Sequence, residues 1–239
     1  MDKLTENNFF DGSVKIFQNK NGYRFSIDSI LLAHHVKNCS NSKILDIGTG
    51  SGIIPISIAY RNKNVLVHGV EIQESLYKIA KKNTAINQME NIINIIHKDI
   101  LKLNAQDIKG HADIVVTNPP YRKTGTGKLN ILSEKACARH ELHLDIDSLL
   151  LKTKTLLKNK GRFYIIYPAS RASELIYKME KNKIPPKKIR LIHSFPDSDA
   201  VMIICEGILN GNSGVQFLPP LFIYKRNGEY SGETIKIIS

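Results

Sequence analysis

The sequence predicts an α/β domain built on a mostly parallel, seven-stranded sheet that ends in an antiparallel hairpin. Three observations predict it. Short apolar runs alternate with amphipathic stretches from residue 43 onward, the rhythm of a parallel sheet covered by helices on both faces. A glycine-rich turn follows the first of these runs, where a strand must give way sharply to a helix. The last two runs are separated only by the polar turn FPDSD, too short for a crossover, so they run antiparallel.

The elements follow in order. VKIFQNKNGYRFS at 14–26 reads as a short hairpin, and IDSILLAHHVKNC at 27–39 as a helix capped by Asp28. Ile30, Leu31, Leu32, Ala33 and Val36 give that helix one broad apolar side. KILDIG opens the regular part with a strand at 43–47. IIPISIAY is a helix that tolerates Pro55 because it falls in the first turn. VLVHGVE at 65–71 is the second strand. In QESLYKIAKKNTAINQ, Leu76, Ile79, Ala80 and Ile86 are apolar while Lys78, Lys81 and Lys82 face outward. NIINII at 91–96 and ADIVVT at 112–117 are further strands. LDIDSLLLKTKTLLKN at 144–159 is a helix ended by Gly161. Strand GRFYIIYP, helix RASELIYKMEKN, and strands IRLIHS and AVMIICEGIL complete the order. No composition break divides the chain, which predicts a catalytic domain at 41–239 behind an N-terminal extension at 1–40.

Size and composition narrow the function. A chain of 239 residues can bury a full core. Cys39, Cys137 and Cys205 are scattered and read as reduced thiols. No clustered ligands suggest a metal. No apolar run is long enough to cross a bilayer, and the first residues lack the pattern of a secretory signal. A cytoplasmic, metal-free monomer is expected. The net charge of +12 points to a polyanion such as nucleic acid, although a lysine-rich proteome would give the same excess.

The sharpest local feature is LDIGTGSG at 45–52. Its glycines alternate, unlike the G-x-G-x-x-G of a pyrophosphate-binding turn. Asp46 lies two residues before Gly48, where a carboxylate would repel a pyrophosphate and suit an ammonium group. Gly48 and Gly50 let a ligand approach the backbone. Glu71 closes the second strand and can accept both hydroxyls of a ribose. Asp99 can accept from an adenine amine, with Ile100 packed on the ring. Together they describe an adenosine with a cationic amino-acid tail, which is S-adenosylmethionine.

The second feature is IVVTNPPY at 114–121. Two prolines restrict the backbone, and each pushes its predecessor to an extended conformation. The Pro119 carbonyl then has a fixed direction, and Asn118 projects at the carboxyl edge of the sheet, where ligands bind in open α/β folds. An adenine N6 amine is a poor nucleophile because its lone pair is delocalised. The Asn118 side-chain oxygen and the Pro119 carbonyl can accept its two protons and favour a pyramidal nitrogen. Tyr121 would stack on the base. The plainer reading is a stiff turn that buries a tyrosine.

These residues resemble the class I S-adenosylmethionine-dependent methyltransferases of the N6-adenine and N5-glutamine type. LDIGTGSG resembles their cofactor motif and NPPY their catalytic motif. GYRFSIDSILLAHHV, the loop containing ARHE, and the EGILN…LPPLFIYKRNGEYS ending extend the likeness to the bacterial tRNA1(Val) (adenine-37-N6)-methyltransferase family. The resemblance implies a Rossmann-like class I methyltransferase fold. It places cofactor contacts on Asp46, Gly48, Gly50, Glu71, Asp99 and Ile100, with Arg24 and Asp28 in the segment that closes over the cofactor. It places the catalytic group on Asn118, Pro119 and Tyr121.

A tRNA partner would need cations beside the target pocket. Arg122, Lys123, Lys128 and Arg139 follow NPPY and can hold phosphates flanking the base. A second cluster at 171–190 reads equally well as a tRNA-facing rim or a polar helix face. His34, His35, His97 and His111 read as structural or solvated. Methylation of glutamine in a translation termination factor, or of adenine in another RNA or in DNA, is the alternative. An inactive RNA-binding relative would have lost Asp46, Asn118 or a proline of NPPY, and none is lost.

Overall fold

The computed structural model describes residues 4–19, 27–120 and 145–239. Strands β3 (Lys43–Ile47), β4 (Leu66–Glu71), β5 (Ile93–His97), β6 (Ala112–Thr117) and β7 (Leu157–Pro168) pair parallel in the order β7-β6-β3-β4-β5. Strand β9 (Ala200–Ile208) lies antiparallel between β7 and β8 (Pro186–His193). Strand β10 (Gln216–Phe222) pairs parallel with β8 and closes that side of the sheet.

Side chains alternate across the sheet as period-two strands require. Ile44, Ile114, Val116, Tyr164 and Ile166 enter one core. Leu45, Val115, Phe163 and Ile165 enter the other. The first core is covered by α1 (Ile27–His35), α2 (Ile53–Arg61), part of α3 (Glu74–Ile86) and the C-terminal α6 (Gly232–Ile238). The second is covered by α4 (Ile146–Leu156) and α5 (Ala172–Lys181). No described helix is long and apolar enough to cross a membrane.

The α/β class and the antiparallel return both hold, with local corrections. The large sheet has eight strands, one more than expected. The additional strand is β10, and the β8–β9 hairpin is therefore not the outer margin. Pro219 and Pro220 sit at its register shift between Leu218 and Leu221, tolerable because an edge strand has an unpaired side for groups without donors. The N-terminal hairpin pairs β1 (Leu4–Phe9) with β2 (Val14–Asn19), so its turn precedes the segment expected to form it. Asp28 lies inside the first turn of α1, where it faces the helix dipole as a charge rather than occupying the cap. Helix α4 stops at Leu156, and Gly161 falls within β7. A β-carbon there would lie 2.8 Å from the Lys158 carbonyl and 3.1 Å from that of Asp113. This glycine therefore serves close strand packing rather than helix termination. Ile86 is exposed at the end of α3, whereas Leu76, Ile79 and Ala80 are buried.

Candidate active site

Parallel pairing brings the ends of β3, β4, β5 and β6 to one edge of the sheet, and with them most of the expected site residues. The glycine turn leaves β3 with Gly48, Gly50 and Gly52 at φ +72°, +57° and +83°, a region that side-chain-bearing residues enter at a cost. The turn is clamped to the neighbouring strand. The Gly48 and Thr49 amides both donate to the Val70 carbonyl at 3.0 Å. Glu71 Oε2 accepts from the Gly50 amide at 2.9 Å, and Oε1 accepts from the Gln73 amide at 2.8 Å. Glu71 is thus a brace for the turn, a structural task its strand-end position did not reveal.

A second brace comes from α3. Asn83 is fully buried. Its Oδ1 accepts from the Phe17 amide at 2.8 Å, and its Nδ2 donates to the carbonyls of Phe17 and Ser51 at 2.9 and 2.8 Å. One side chain therefore joins β2, α3 and the glycine turn. In sequence it is only a polar residue on the inner side of a helix, which is the available signal.

Asp46 is the electrostatic anomaly. It is 0% exposed, and neither carboxylate oxygen makes a hydrogen bond of regular geometry among the described residues, the Thr49 hydroxyl lying nearby. Burial pushes its carboxyl up to about 7; the Thr49 hydroxyl pulls the other way, and the Glu71 carboxylate adds to the rise. A buried carboxyl without partners is costly to keep, unless a cationic ligand completes it. The position of a β-carbon on Gly48 has no atom within 4 Å, so the backbone there is open to close approach. Both features fit a ligand with an ammonium group lying against the turn.

After β5, Asp99 caps a short 3-10 turn, with Oδ1 accepting from the Leu101 amide at 2.9 Å. Ile100 is buried, while Ile72 and Leu101 are 43% and 41% exposed. Two exposed apolar side chains thus flank the acceptors Glu71 and Asp99. The exposed ones were missed, though Ile72 directly after Glu71 and Leu101 two residues after Asp99 were the signal.

After β6, Thr117 Oγ1 donates to the Ile47 carbonyl at 2.9 Å and locks the two strand ends together. Asn118 is half-buried and Pro119 buried. Asn118 Nδ2 donates to the Ser29 hydroxyl on α1 at 2.9 Å. Asp28 precedes Ser29 in that first turn. Arg24, Tyr121, Arg122, Lys123, Lys128 and Arg139 lie outside the described residues. The 171–190 cluster does not form one rim. Arg171 is at the site edge, paired with Glu174 at 2.8 Å. Lys187 and Lys188 sit where β8 begins, at the opposite edge. A groove lined by Lys43, Asp113 and Lys158 is also at that far edge and touches none of the site residues.

The methyltransferase small domain family model matches residues 23–180, which span the glycine turn, Glu71, Asp99 and Asn118. The chain belongs to this family. Among curated relatives of this methyltransferase is the tRNA1(Val) (adenine(37)-N6)-methyltransferase of Aliivibrio salmonicida, 29% identical over 77% of each chain. Among solved structures, a predicted O-methyltransferase from Agrobacterium tumefaciens superposes with a TM-score of 0.69 at 18% identity, covering 88% of this chain and 94% of that one. Mycoplasma TrmK (M. capricolum), crystallised with S-adenosylhomocysteine, gives a TM-score of 0.56 at 18% identity over 80% and 72%. The class I methyltransferase fold is therefore that of this family member. Among the described residues, no group of histidine, cysteine or acidic side chains could hold a metal ion.

Proposed function

We propose that the protein transfers a methyl group from S-adenosylmethionine to the N6 amine of adenine in tRNA, at adenine 37 of tRNA1(Val). One observation carries this reading: an unpartnered buried carboxylate, Asp46, and an amide preceding two prolines, Asn118, stand at adjacent strand ends of one sheet edge. The name of the Aliivibrio relative supports the tRNA target, and the chain's charge of +12 suits a polyanion.

The cofactor supplies an electrophilic methyl group on a sulfonium. Asp46 holds the cationic tail, and Gly48 and Gly50 allow close approach. Glu71 accepts from the ribose hydroxyls. Asp99 accepts from the adenine amine of the cofactor, with Ile72 and Ile100 against the ring. Asp28 and Arg24 belong to the extension at 1–40 and complete the cofactor site. Asn118 and the Pro119 carbonyl accept the protons of the target amine, which concentrates its lone pair, and the released proton passes to water. Tyr121 stacks on the extruded base. Arg122, Lys123, Lys128 and Arg139 hold the flanking phosphates. The rate comes from alignment and fixed dipoles rather than from an acid or base. The protein acts in the cytoplasm, as a monomer.

The test is transfer of labelled methyl to total tRNA from cells lacking the gene, followed by nucleoside mass spectrometry. Label in N6-methyladenosine is expected. Label confined to protein glutamine overturns the assignment.

A further inference from the structure

We propose that Ser29 is a positioning residue that sets which end of the Asn118 amide faces the substrate; this rests on the function proposed above. An asparagine amide has an acceptor at one end and two donors at the other. Only the oxygen can receive a proton from the target amine. The nitrogen in its place would set donor against donor. Backbone restriction before a proline fixes where the Asn118 side chain starts, but rotation about its last bond still exchanges the two ends.

In this structure the Ser29 hydroxyl engages the nitrogen end. It accepts from Asn118 Nδ2 at 2.9 Å. Ser29 is 3% exposed, so bulk water does not compete for its hydroxyl. With the nitrogen held toward α1, the oxygen is directed to the other side of the amide carbon. Ser29 lies on a helix side that is otherwise apolar, between Asp28 and the buried Ile30, Leu31 and Leu32. A hydroxyl adds nothing to packing there, and among the described residues its partner is Asn118. The site is therefore assembled from two elements: β6 brings the amide, and α1 orients it.

The experiment compares Ser29→Ala, Ser29→Thr and Ser29→Cys with wild type in methyl transfer to tRNA and in S-adenosylhomocysteine binding. Losing one hydrogen bond that sets the amide lowers kcat of Ser29→Ala about tenfold, with cofactor Kd within about twofold. Ser29→Thr keeps the hydroxyl and recovers kcat to within about threefold. Ser29→Cys keeps the volume with a weak hydrogen-bonding group and shows the same loss as Ser29→Ala at an unchanged Tm. In an Asn118→Ala background, Ser29→Ala changes kcat by less than about twofold, because residues acting as one unit are not additive. Wild-type kcat in Ser29→Ala or Ser29→Cys, or an equal further loss without Asn118, overturns the inference and leaves the functional reading standing. A wild-type protein that transfers no methyl to adenine overturns that reading itself.

Discussion

At the carboxyl edge of β3 and β6 the protein buries a carboxylate without a partner; between α1, α2 and α6 it draws in two guanidinium groups and satisfies both. Arg190 donates through Nε to the Pro219 carbonyl at 2.9 Å, contacts His35 Nε2 at 3.2 Å and pairs with Glu233 at 2.7 Å. Arg61 meets His34 Nδ1 at 2.7 Å, donates to the Ile237 carbonyl and lies 4.6 Å over the Phe10 ring. The histidines are tuned to this. Burial first, and nearby cations with it, lower His34 to about 3 and His35 to about 4, the Leu31 carbonyl partly opposing the shift at His35. Neutral imidazoles can then accept from the arginines. The contrast separates two uses of buried charge. Hydrogen bonds from both guanidinium groups fasten the C-terminal segment to the body of the fold. An unpaired carboxylate and a half-committed amide leave bonding capacity for a ligand.

Breaking the site end should cost the most activity. Asn118→Ala removes the oxygen acceptor, and kcat is expected to fall by about a thousandfold, the scale of losing an oriented catalytic dipole. Steady-state kinetics with tRNA and calorimetry with S-adenosylhomocysteine check it, since cofactor Kd should stay within a few fold. An equal loss in cofactor affinity would merge the two halves of the site. Next in size is Asp46→Asn, expected to weaken S-adenosylmethionine binding about a hundredfold by removing the countercharge. The same substitution should raise the Tm of the cofactor-free protein near neutral pH, because a costly buried charge is gone.

The satisfied end should respond in the opposite sense. Arg190→Ala leaves Glu233 without its partner and frees the Pro219 carbonyl, and is expected to destabilise by about 2 kcal/mol. Urea denaturation measures it. The kcat/KM well below the Tm should be unchanged. A large activity loss at full stability would mean that this network reaches the site after all.

The sequence made the strand ends legible because each one announces itself locally. Apolar runs mark β3 to β7, alternating glycines mark the turn, and two prolines mark the end of β6. The catalytic edge could therefore be assembled without coordinates, given only that the strands run parallel. What stayed hidden depends on pairing between distant segments. Nothing beside Ser29 says that it meets a residue 89 positions away. Asn83 resembles any inward polar residue until its contacts with Phe17 and Ser51 are known. The basic stretch at 171–190 left a rim and a polar helix face equally open because sequence does not show that α5 carries its two ends to opposite edges. β10 was hidden by its prolines, which argue against a strand everywhere except at an edge.

A smaller effect sharpens the comparison further, because Asp46 and the histidines shift in ways that pH distinguishes. The Asp46 carboxyl is raised to about 7, so the free protein carries it mostly neutral in acid. A ligand ammonium needs the carboxylate. Affinity for S-adenosylmethionine should therefore rise with pH up to about 7 and then level, falling about tenfold from about pH 8 to about pH 6. Stability of the free protein has the reverse sign. The folded chain retains a proton that the unfolded chain releases in the ordinary carboxylate range. This contribution is complete below that range and is lost as pH rises through about 7. Measured against Asp46→Asn, the Tm of free wild type should thus decline from about pH 6 to about pH 8 while the increment from cofactor grows. His34 and His35, lowered from 6.5 to about 3 and about 4, stay neutral in the folded chain while the unfolded chain still takes up protons there, so they add stability as pH rises toward about 7 and oppose the Asp46 contribution. Asp46→Asn should flatten the affinity profile and leave the stability profile with the rising slope of the histidines alone. If calorimetry across the interval found wild type and Asp46→Asn with the same slope, the ammonium would have to be held by some other group, and the unpaired carboxylate would lose its assigned role.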